Sequence, residues 1–287
     1  MAPIASSTVQ EPDLLALDFD GVVCDGLREY FHSAWLAHGV FWPQDDRPDL
    51  PALEAQFCRL RPVIETGWEM PVLIQALLLG VEETVIQADW PQQAHHLIAQ
   101  YDLDPKNIGQ TLDGLRDRQI TENLDQWLSL HRFYPGVIDR LQSLQASGFP
   151  WVIITTKEGR FAHRLLQQAG VEIDRDRIFG KEVKQPKAQT LDRLAQTLPP
   201  QSHIWFIEDR LPTLHKVRQY QAQPSQDPAA AAEGSGVQGI AAVTIELFLA
   251  DWGYNTSRDR QQAATDPSLR CLTLHQFSQP FSTWLTQ

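Results

Sequence analysis

Four short apolar runs that end abruptly in polar residues constrain the fold of this chain more than any other feature of its sequence. The runs cover residues 14–17, 151–154, 204–207 and 245–250. Short apolar runs with polar boundaries are typical of strands that are buried on both faces of a sheet. The pattern therefore predicts a central sheet whose strands lie far apart in the sequence.

Amphipathic segments between these runs predict helices that cover the sheet. Val137, Leu141 and Leu144 recur at helical spacing, and Gly148 follows as a stop signal. Strands alternating with helices indicate an α/β fold with a doubly wound parallel sheet, of the Rossmann-like kind. Ligands of such sheets bind beyond the carboxyl ends of the strands, where the polar residues of this chain lie.

A long insertion separates the first two predicted strands. Residues 28–130 exceed what a crossover helix needs, and they include helix-like runs at 72–79 and 124–130. We predict a helical cap over 28–130 and a catalytic core formed by 13–27 and 131–287. Residues 221–239 are rich in Ala, Gly, Pro, Ser and Gln, and we predict a flexible loop there within the core.

Net charge and cysteine content narrow the classes of partner. The net charge is −12, with 36 acidic and 24 basic residues, which disfavours binding to nucleic acid or to an anionic membrane. The three cysteines form no Cys-x-x-Cys pair, and the most apolar stretch, 71–81, is too short to cross a bilayer. We expect a cytoplasmic protein with a small-molecule partner, and the sequence leaves its oligomeric state open.

Two carboxylates follow the first predicted strand. Asp18 and Asp20 would point to opposite faces of a regular strand, but a tight turn at Gly21 lets both reach one pocket. One carboxylate suits attack on phosphorus, and the other suits proton transfer to the leaving oxygen and from water. The alternative is a solvated Asp-Gly turn without catalytic function.

Polar residues at the other strand ends match the needs of phosphoryl transfer. A transferred phosphoryl group requires hydroxyl donors, a fixed cation and a metal ion. The candidates are Thr155, Lys187, and the pair Glu208 and Asp209, whose oxygens with Asp18 suit Mg²⁺. Taken singly, Thr155 could cap a helix, Lys187 could be a surface lysine, and the two acids could begin a helix.

Four segments together resemble the ordered motifs of haloacid dehalogenase-like hydrolases. They are LDFDGVVCD (17–25), IITTK (153–157), PKAQTL (186–191) and FIEDR (206–210). The resemblance implies that Asp18 is the nucleophile, Asp20 the general acid/base, Thr155 the phosphate-binding residue and Lys187 the charge-neutralising lysine. Lys184 is the alternative to Lys187, because the third motif contains both lysines; Lys187 is preferred because Leu191 and Leu194 follow it at helical spacing.

The same resemblance implies a metal and a reaction. Mg²⁺ would be held by Asp18, the backbone carbonyl of Asp20, and Asp209, with Glu208 nearby; position 213 is Thr where many relatives have a further acid. An acid at position 20 is typical of phosphatases and phosphomutases and argues against dehalogenation. We expect hydrolysis of a small phosphorylated metabolite through an aspartyl phosphate. A sugar phosphomutase and a catalytically silent binding protein of this fold are the alternatives.

The resemblance also suggests how substrates are selected. A helical cap after the first motif is similar to those of phosphoglycolate phosphatases, and ADWGYN (250–255) is similar to a loop in that group. Phosphoglycolate or a sugar phosphate is therefore a candidate substrate, with Thr156, Arg59 and Arg61 as candidate binding residues. The segments LRPVIETGWE, RFYPG, TTKEGRFA and IEDRLPTL resemble a little-described branch found in cyanobacteria and chloroplasts.

Overall fold

The computed structural model describes residues 11–43, 48–222 and 243–285, which form two compact units. One unit contains the described residues up to Cys24 and those from Phe133 onward, and the other is Asp25–Arg132. Two short paired strands, β2 (Cys24–Asp25) and β3 (Arg132–Phe133), lie where the chain passes from one unit to the other. The assignment of 28–130 as a cap stays a prediction.

The first unit is built on a six-stranded parallel sheet. Its strands are β1 (Leu14–Leu17), β4 (Trp151–Ile154), β5 (Ile178–Phe179), β6 (His203–Glu208), β7 (Thr244–Ala250) and β8 (Leu269–Leu272). Their order in the sheet is β5-β4-β1-β6-β7-β8, and every neighbouring pair is parallel. The carboxyl ends of β1, β4 and β6 therefore meet at one edge.

Both faces of this sheet are covered, which explains why β1 and β4 are apolar throughout. The helices of the unit are α8 (Val137–Ala146), α9 (Gly159–Gln168), α10 (Lys187–Gln196), α11 (Leu211–Gln221), α12 (Ser257–Thr265) and α13 (Leu274–Phe277). Phe206 of β6 shares a core with Leu191 and Leu214. Its neighbour Trp205 points to the other face, where its ring lies 5.5 Å from that of Trp284. The predicted doubly wound α/β sheet is thus confirmed.

The predicted strands coincide closely with the observed ones. The runs at 14–17 and 151–154 are β1 and β4 as predicted, while β6 and β7 are slightly longer than the runs within them. The sequence did not predict β5 and β8. Of the loop predicted at 221–239, Gln221 ends α11, and 223–239 lie outside the described residues.

The second unit is helical across its described residues. Its helices are α1 (Leu27–Phe41), α2 (Leu50–Leu60), α3 (Glu69–Leu78), α4 (Glu83–Ala88), α5 (Trp90–Gln100), α6 (Pro105–Glu122) and α7 (Leu124–Leu128). Asp49, Asp89 and Asp104 cap α2, α5 and α6 by accepting an N–H of the first turn. Fully buried side chains such as Phe57, Leu73 and Ile108 give the unit its own core.

A buried ion pair connects α1 and α6 in the second unit. Glu29 is only 1% exposed, and its carboxylate accepts hydrogen bonds from Arg116 Nε at 2.7 Å, Ser33 Oγ at 2.6 Å and Trp127 Nε1 at 3.2 Å. Burial alone would lower the pKa of Arg116, but the charge of Glu29 outweighs it and raises that pKa. The pair therefore stays charged inside the unit.

Removing one partner of this pair should destabilise the protein strongly. We expect Arg116→Leu or Glu29→Leu to lower the free energy of unfolding by about 3–5 kcal/mol, because each leaves a buried charge without its partner. The double variant should lose less than either single variant, since no charge then stays buried. Urea denaturation followed by circular dichroism measures all three. Arg59→Leu, which breaks an exposed pair, is the control, and a double variant as unstable as the summed singles would contradict this account.

Candidate active site

Three buried carboxylates meet at the carboxyl edge of the sheet. Asp18 follows β1, Glu208 ends β6 and Asp209 follows it. One carboxylate oxygen from each lies within 4.8 Å of the others, and the three residues are 7%, 1% and 1% exposed, respectively. The three acids therefore lie together, as expected for residues at the carboxyl ends of parallel strands.

Lys187 lies among the acids. It is the first residue of α10, and its Nζ lies 2.8 Å from Asp18 Oδ1 and donates to Glu208 Oε2 at 2.7 Å. Burial alone would lower the pKa of Lys187, but the charges of Asp18 and Glu208 raise it above its usual range. Lys187 is therefore a fixed cation at the carboxyl ends of β1 and β6. Lys184 instead lines an adjoining cavity.

One lysine does not balance three buried acids. Burial is the main cause that raises the pKa of Asp18 to about 7, and the charge of Glu208 adds to it while Lys187 opposes it. Burial and the charge of Asp18 raise the pKa of Asp209 to about 6, and burial also raises the pKa of Glu208. Such uncompensated hard oxygen ligands fit a divalent cation such as Mg²⁺.

The loop after β7 holds Asp209 in place through hydrogen bonds. The Tyr254 N–H donates to Asp209 Oδ2 at 2.7 Å. The side chain of buried Asn255 donates to the carbonyls of Asp209 at 3.1 Å and Ala250 at 2.7 Å, and its oxygen accepts from Arg260. A side chain at Gly253 would collide with Asp209, so only glycine allows this close approach. Asn255 belongs to the ADWGYN segment that resembles a phosphoglycolate phosphatase loop, but its sequence context predicts no role for it.

Gly21 shapes the turn that carries Asp20. Its φ is 88°, in the left-handed region that glycine adopts readily, and a Cβ there would collide with the Asp209 carboxylate. The Asp20 carboxylate lies 3.3 Å from Lys157 Nζ, and both side chains are largely buried. Asp20 is not one of the three clustered acids. Lys157, to which sequence reasoning gave no role, is the partner of Asp20, and its position in the second motif was the available signal.

Thr155 and Thr156 follow β4 at the same edge. Thr155 is 5% exposed, and its Oγ1 accepts a hydrogen bond from the Lys157 N–H at 3.1 Å. Its hydroxyl proton can still be donated to a ligand. Thr156 is exposed and lines a cavity with Thr155 and Lys187. Both threonines therefore line a cavity together with the fixed cation, and their binding of phosphate or substrate stays a prediction.

Arg59 and Arg61 belong to the second unit. The exposed Arg59 guanidinium donates to Glu83 at 2.6 Å, and a hydrogen bond to that carboxylate is the main cause that raises its pKa. Arg61 donates to the Ile64 carbonyl at 3.0 Å, and its guanidinium lies 5.2 Å from the centre of the Tyr30 ring. Both groups have partners within their own unit, and their binding of substrate stays a prediction.

A family model of haloacid dehalogenase-like hydrolases matches residues 12–213, which is more than half of the chain. The chain belongs to this family. The matched range includes the acids, Thr155 and Lys187 described above. The hydrolase family therefore agrees with the resemblance carried by the four sequence motifs, whereas the narrower branch stays a prediction. No curated protein matches this chain.

Solved structures share the fold across nearly the whole chain. A "putative phosphatase" from Clostridium difficile has a TM-score of 0.57 and 13% identity, covering 93% of this chain and 96% of its own. A "predicted phosphatase" from Clostridium acetobutylicum has a TM-score of 0.55 and 14% identity, covering 94% and 97%. A "putative phosphoglycolate phosphatase" from Lactobacillus delbrueckii has a TM-score of 0.52 and 11% identity, covering 91% and 94%. At these identities the likeness shows a common fold.

The described residues also bear on membrane association. None of the helices among them combines the length and apolar character that a bilayer crossing requires.

Proposed function

We propose that this hydrolase is a magnesium-dependent phosphatase that cleaves small phosphomonoesters through an aspartyl phosphate on Asp18. The observation that carries the proposal is the placement of Asp18 between a fixed cation and two further buried acids, with Lys187 Nζ 2.8 Å from its carboxylate. A nucleophile beside a cation and hard metal ligands suits phosphoryl transfer better than carbon–halogen cleavage.

Asp18, Asp209 and the Asp20 backbone carbonyl would hold Mg²⁺ in this proposal, with Glu208 close by. The ion would offset negative charge on the phosphoryl oxygens and on the buried acids. The cluster of Asp18, Glu208 and Asp209 supports this assignment, because its carboxylates outnumber the one lysine among them. The Tyr254 N–H donates to Asp209 Oδ2 and so helps to orient this carboxylate.

The protein side chains would divide the reaction into two steps. In the first step an Asp18 oxygen attacks phosphorus, the ester bond breaks, and Asp20 gives a proton to the leaving oxygen. In the second step a water oxygen attacks the same phosphorus while Asp20 takes its proton, which releases phosphate and restores Asp18. The Thr155 hydroxyl and Lys187 would bind the phosphoryl oxygens. Lys157 would orient the Asp20 carboxylate, from which its Nζ lies 3.3 Å.

Phosphate release from a panel of small esters tests this function. The panel contains phosphoglycolate, sugar phosphates and nucleotides, each assayed with Mg²⁺ and with EDTA. We expect turnover that requires the metal and is strongest for one class of ester. Absence of phosphate release from every ester, with folded protein and Mg²⁺ present, would contradict the proposal.

Asn255 should matter for metal binding although it is not a ligand. Asn255→Ala removes the donor that holds the Asp209 and Ala250 carbonyls, so Asp209 is less well oriented. We expect the affinity for Mg²⁺ to fall about tenfold, as for other residues that orient a metal ligand. Calorimetric titration of Mg²⁺ into substrate-free protein measures this directly. Asn107→Ala, at an exposed site on α6, is the control, and unchanged affinity in folded Asn255→Ala would refute the role.

A further inference from the structure

A cavity of about 340 Å³ adjoins the candidate active site within the first unit. Thr155 and Lys187 line it, and both also belong to the candidate active site. Its other walls come from the segment between β5 and α10, including Lys181 and Lys184, and from the apolar side chains of Ile154, Phe179 and Val183. A molecule held at Thr155 and Lys187 could therefore extend into this space, which we call the lysine cavity.

The charge of the lysine cavity is opposite to that of the chain. Three lysines line it and no acid does, although the protein carries a net charge of −12. Glu182 lies between two of these lysines in sequence, but its carboxylate faces away and accepts the Gly159 N–H at 3.0 Å. Lys181 and Lys184 therefore place two positive charges along the cavity, which favours an anion there.

Two of these lysines are available to a ligand. Lys187 is engaged by Asp18 and Glu208, whereas Lys181 and Lys184 are exposed and have no carboxylate within 4.0 Å among the residues that the structure describes. Lys184 also has a φ of 52° and a ψ of 33°, a left-handed conformation that is uncommon for lysine. Glycine or asparagine would adopt this conformation more readily, so the backbone conformation alone does not explain why residue 184 is a lysine.

We propose that the lysine cavity binds a second anionic group of the substrate. The substrate class is then phosphomonoesters that carry a carboxylate or a second phosphate, with Lys181 and Lys184 binding that group. The apolar wall formed by Ile154, Phe179 and Val183 would contact the carbon atoms that join it to the phosphoryl group. This inference rests on the proposed phosphatase function and narrows its substrate class. Sugar phosphates and alkyl phosphates without a second anionic group, called neutral esters below, are excluded as preferred substrates.

Matched pairs of esters test the inference. Phosphoglycolate is compared with 2-hydroxyethyl phosphate, and glucose 1,6-bisphosphate with glucose 1-phosphate, so each pair differs in one anionic group. We expect wild type to favour the member with the second anionic group about tenfold in kcat/KM for one of the pairs, since each exposed ion pair contributes up to about fivefold. The favoured pair shows whether the second group is a carboxylate or a phosphate.

The double variant Lys181→Gln/Lys184→Gln should remove this preference through a higher KM for the anionic member. The kcat/KM for the neutral member should stay within about twofold of wild type. Lys216→Gln, at an exposed site on α11, changes the charge of the same unit away from the cavity and serves as the control. Thermal unfolding confirms that each variant is folded.

The possible results separate the inference from the function on which it rests. Turnover of all four esters without preference, or a preference that survives in the double variant, would overturn the lysine cavity as an anion site while leaving the phosphatase intact. Equal losses for both members of a pair would also overturn it. Failure of wild type to release phosphate from all four esters would overturn the inference, and it would overturn the function as well if no ester of the wider panel, nucleotides included, were hydrolysed.

Discussion

Asp18→Asn is expected to abolish phosphate release, with a fall in kcat of roughly 10⁴-fold or more, as for loss of a nucleophile in other enzymes. The amide has nearly the shape of the carboxylate and leaves the contact between Lys187 and Glu208 in place. It cannot attack phosphorus as a carboxylate does. Single-turnover assays with excess enzyme measure the loss, and full activity in the variant would exclude Asp18 as the nucleophile.

The same variant should be no less stable than wild type, which separates a chemical defect from misfolding. In EDTA, burial raises the pKa of Asp18 from 3.8 to about 7, so the folded protein binds more protons than the unfolded chain between these pH values. The stability of wild type should therefore fall as the pH rises from about 4 to 7. Because the amide does not titrate, urea denaturation at pH 5 and pH 8 should show a smaller fall in Asp18→Asn.

Strands β1 and β4 could be predicted from sequence because burial on both faces leaves no position for a polar residue. β1 and β4 are apolar at every position, and so their bounds follow from composition alone. The edge strands give a weaker signal. β5 has two residues, and β8 has exposed Arg270 between buried Leu269 and Leu272, so neither contains an apolar run.

The grouping of the acids could also be predicted, since it follows from the parallel sheet. Asp18, Glu208 and Asp209 each follow or end a strand, and parallel strands share one carboxyl edge. Helical periodicity favoured Lys187 over Lys184 because Lys187 directly precedes the apolar positions of α10. The roles of these residues in catalysis remain predictions until their variants are assayed.

Two features of the site could not be derived in this way. Asp20 and Lys157 lie far apart in the sequence, and their side chains meet beside the turn at Gly21. The contact of Asn255 with Asp209 depends on a close approach that glycine at 253 permits. Neither arrangement follows from a periodicity, because both result from irregular backbone beyond the strand ends.

Lys187→Met should have the second largest effect on activity and should decide between the two lysines of the third motif. It removes the cation that lies 2.8 Å from Asp18 and 2.7 Å from Glu208. We expect kcat to fall roughly 10³-fold for every ester, since the loss of one group that stabilises the transition-state charge costs about 10²–10³-fold elsewhere and the buried acids also lose their partner. Steady-state kinetics on a neutral ester and an anionic ester measure this effect.

Lys184→Met provides the contrast within the same motif, and Lys216→Met controls for the loss of a positive charge. If Lys187 is the charge-neutralising residue, Lys184→Met should raise KM for anionic esters and leave kcat for neutral esters nearly unchanged. In EDTA, Lys187→Met should also lose more stability at pH 8 than at pH 5, because protonation relieves the repulsion among the three buried acids. A large loss of kcat in Lys184→Met, with Lys187→Met still active, would reassign the role to Lys184 and leave the buried position of Lys187 as a purely structural feature.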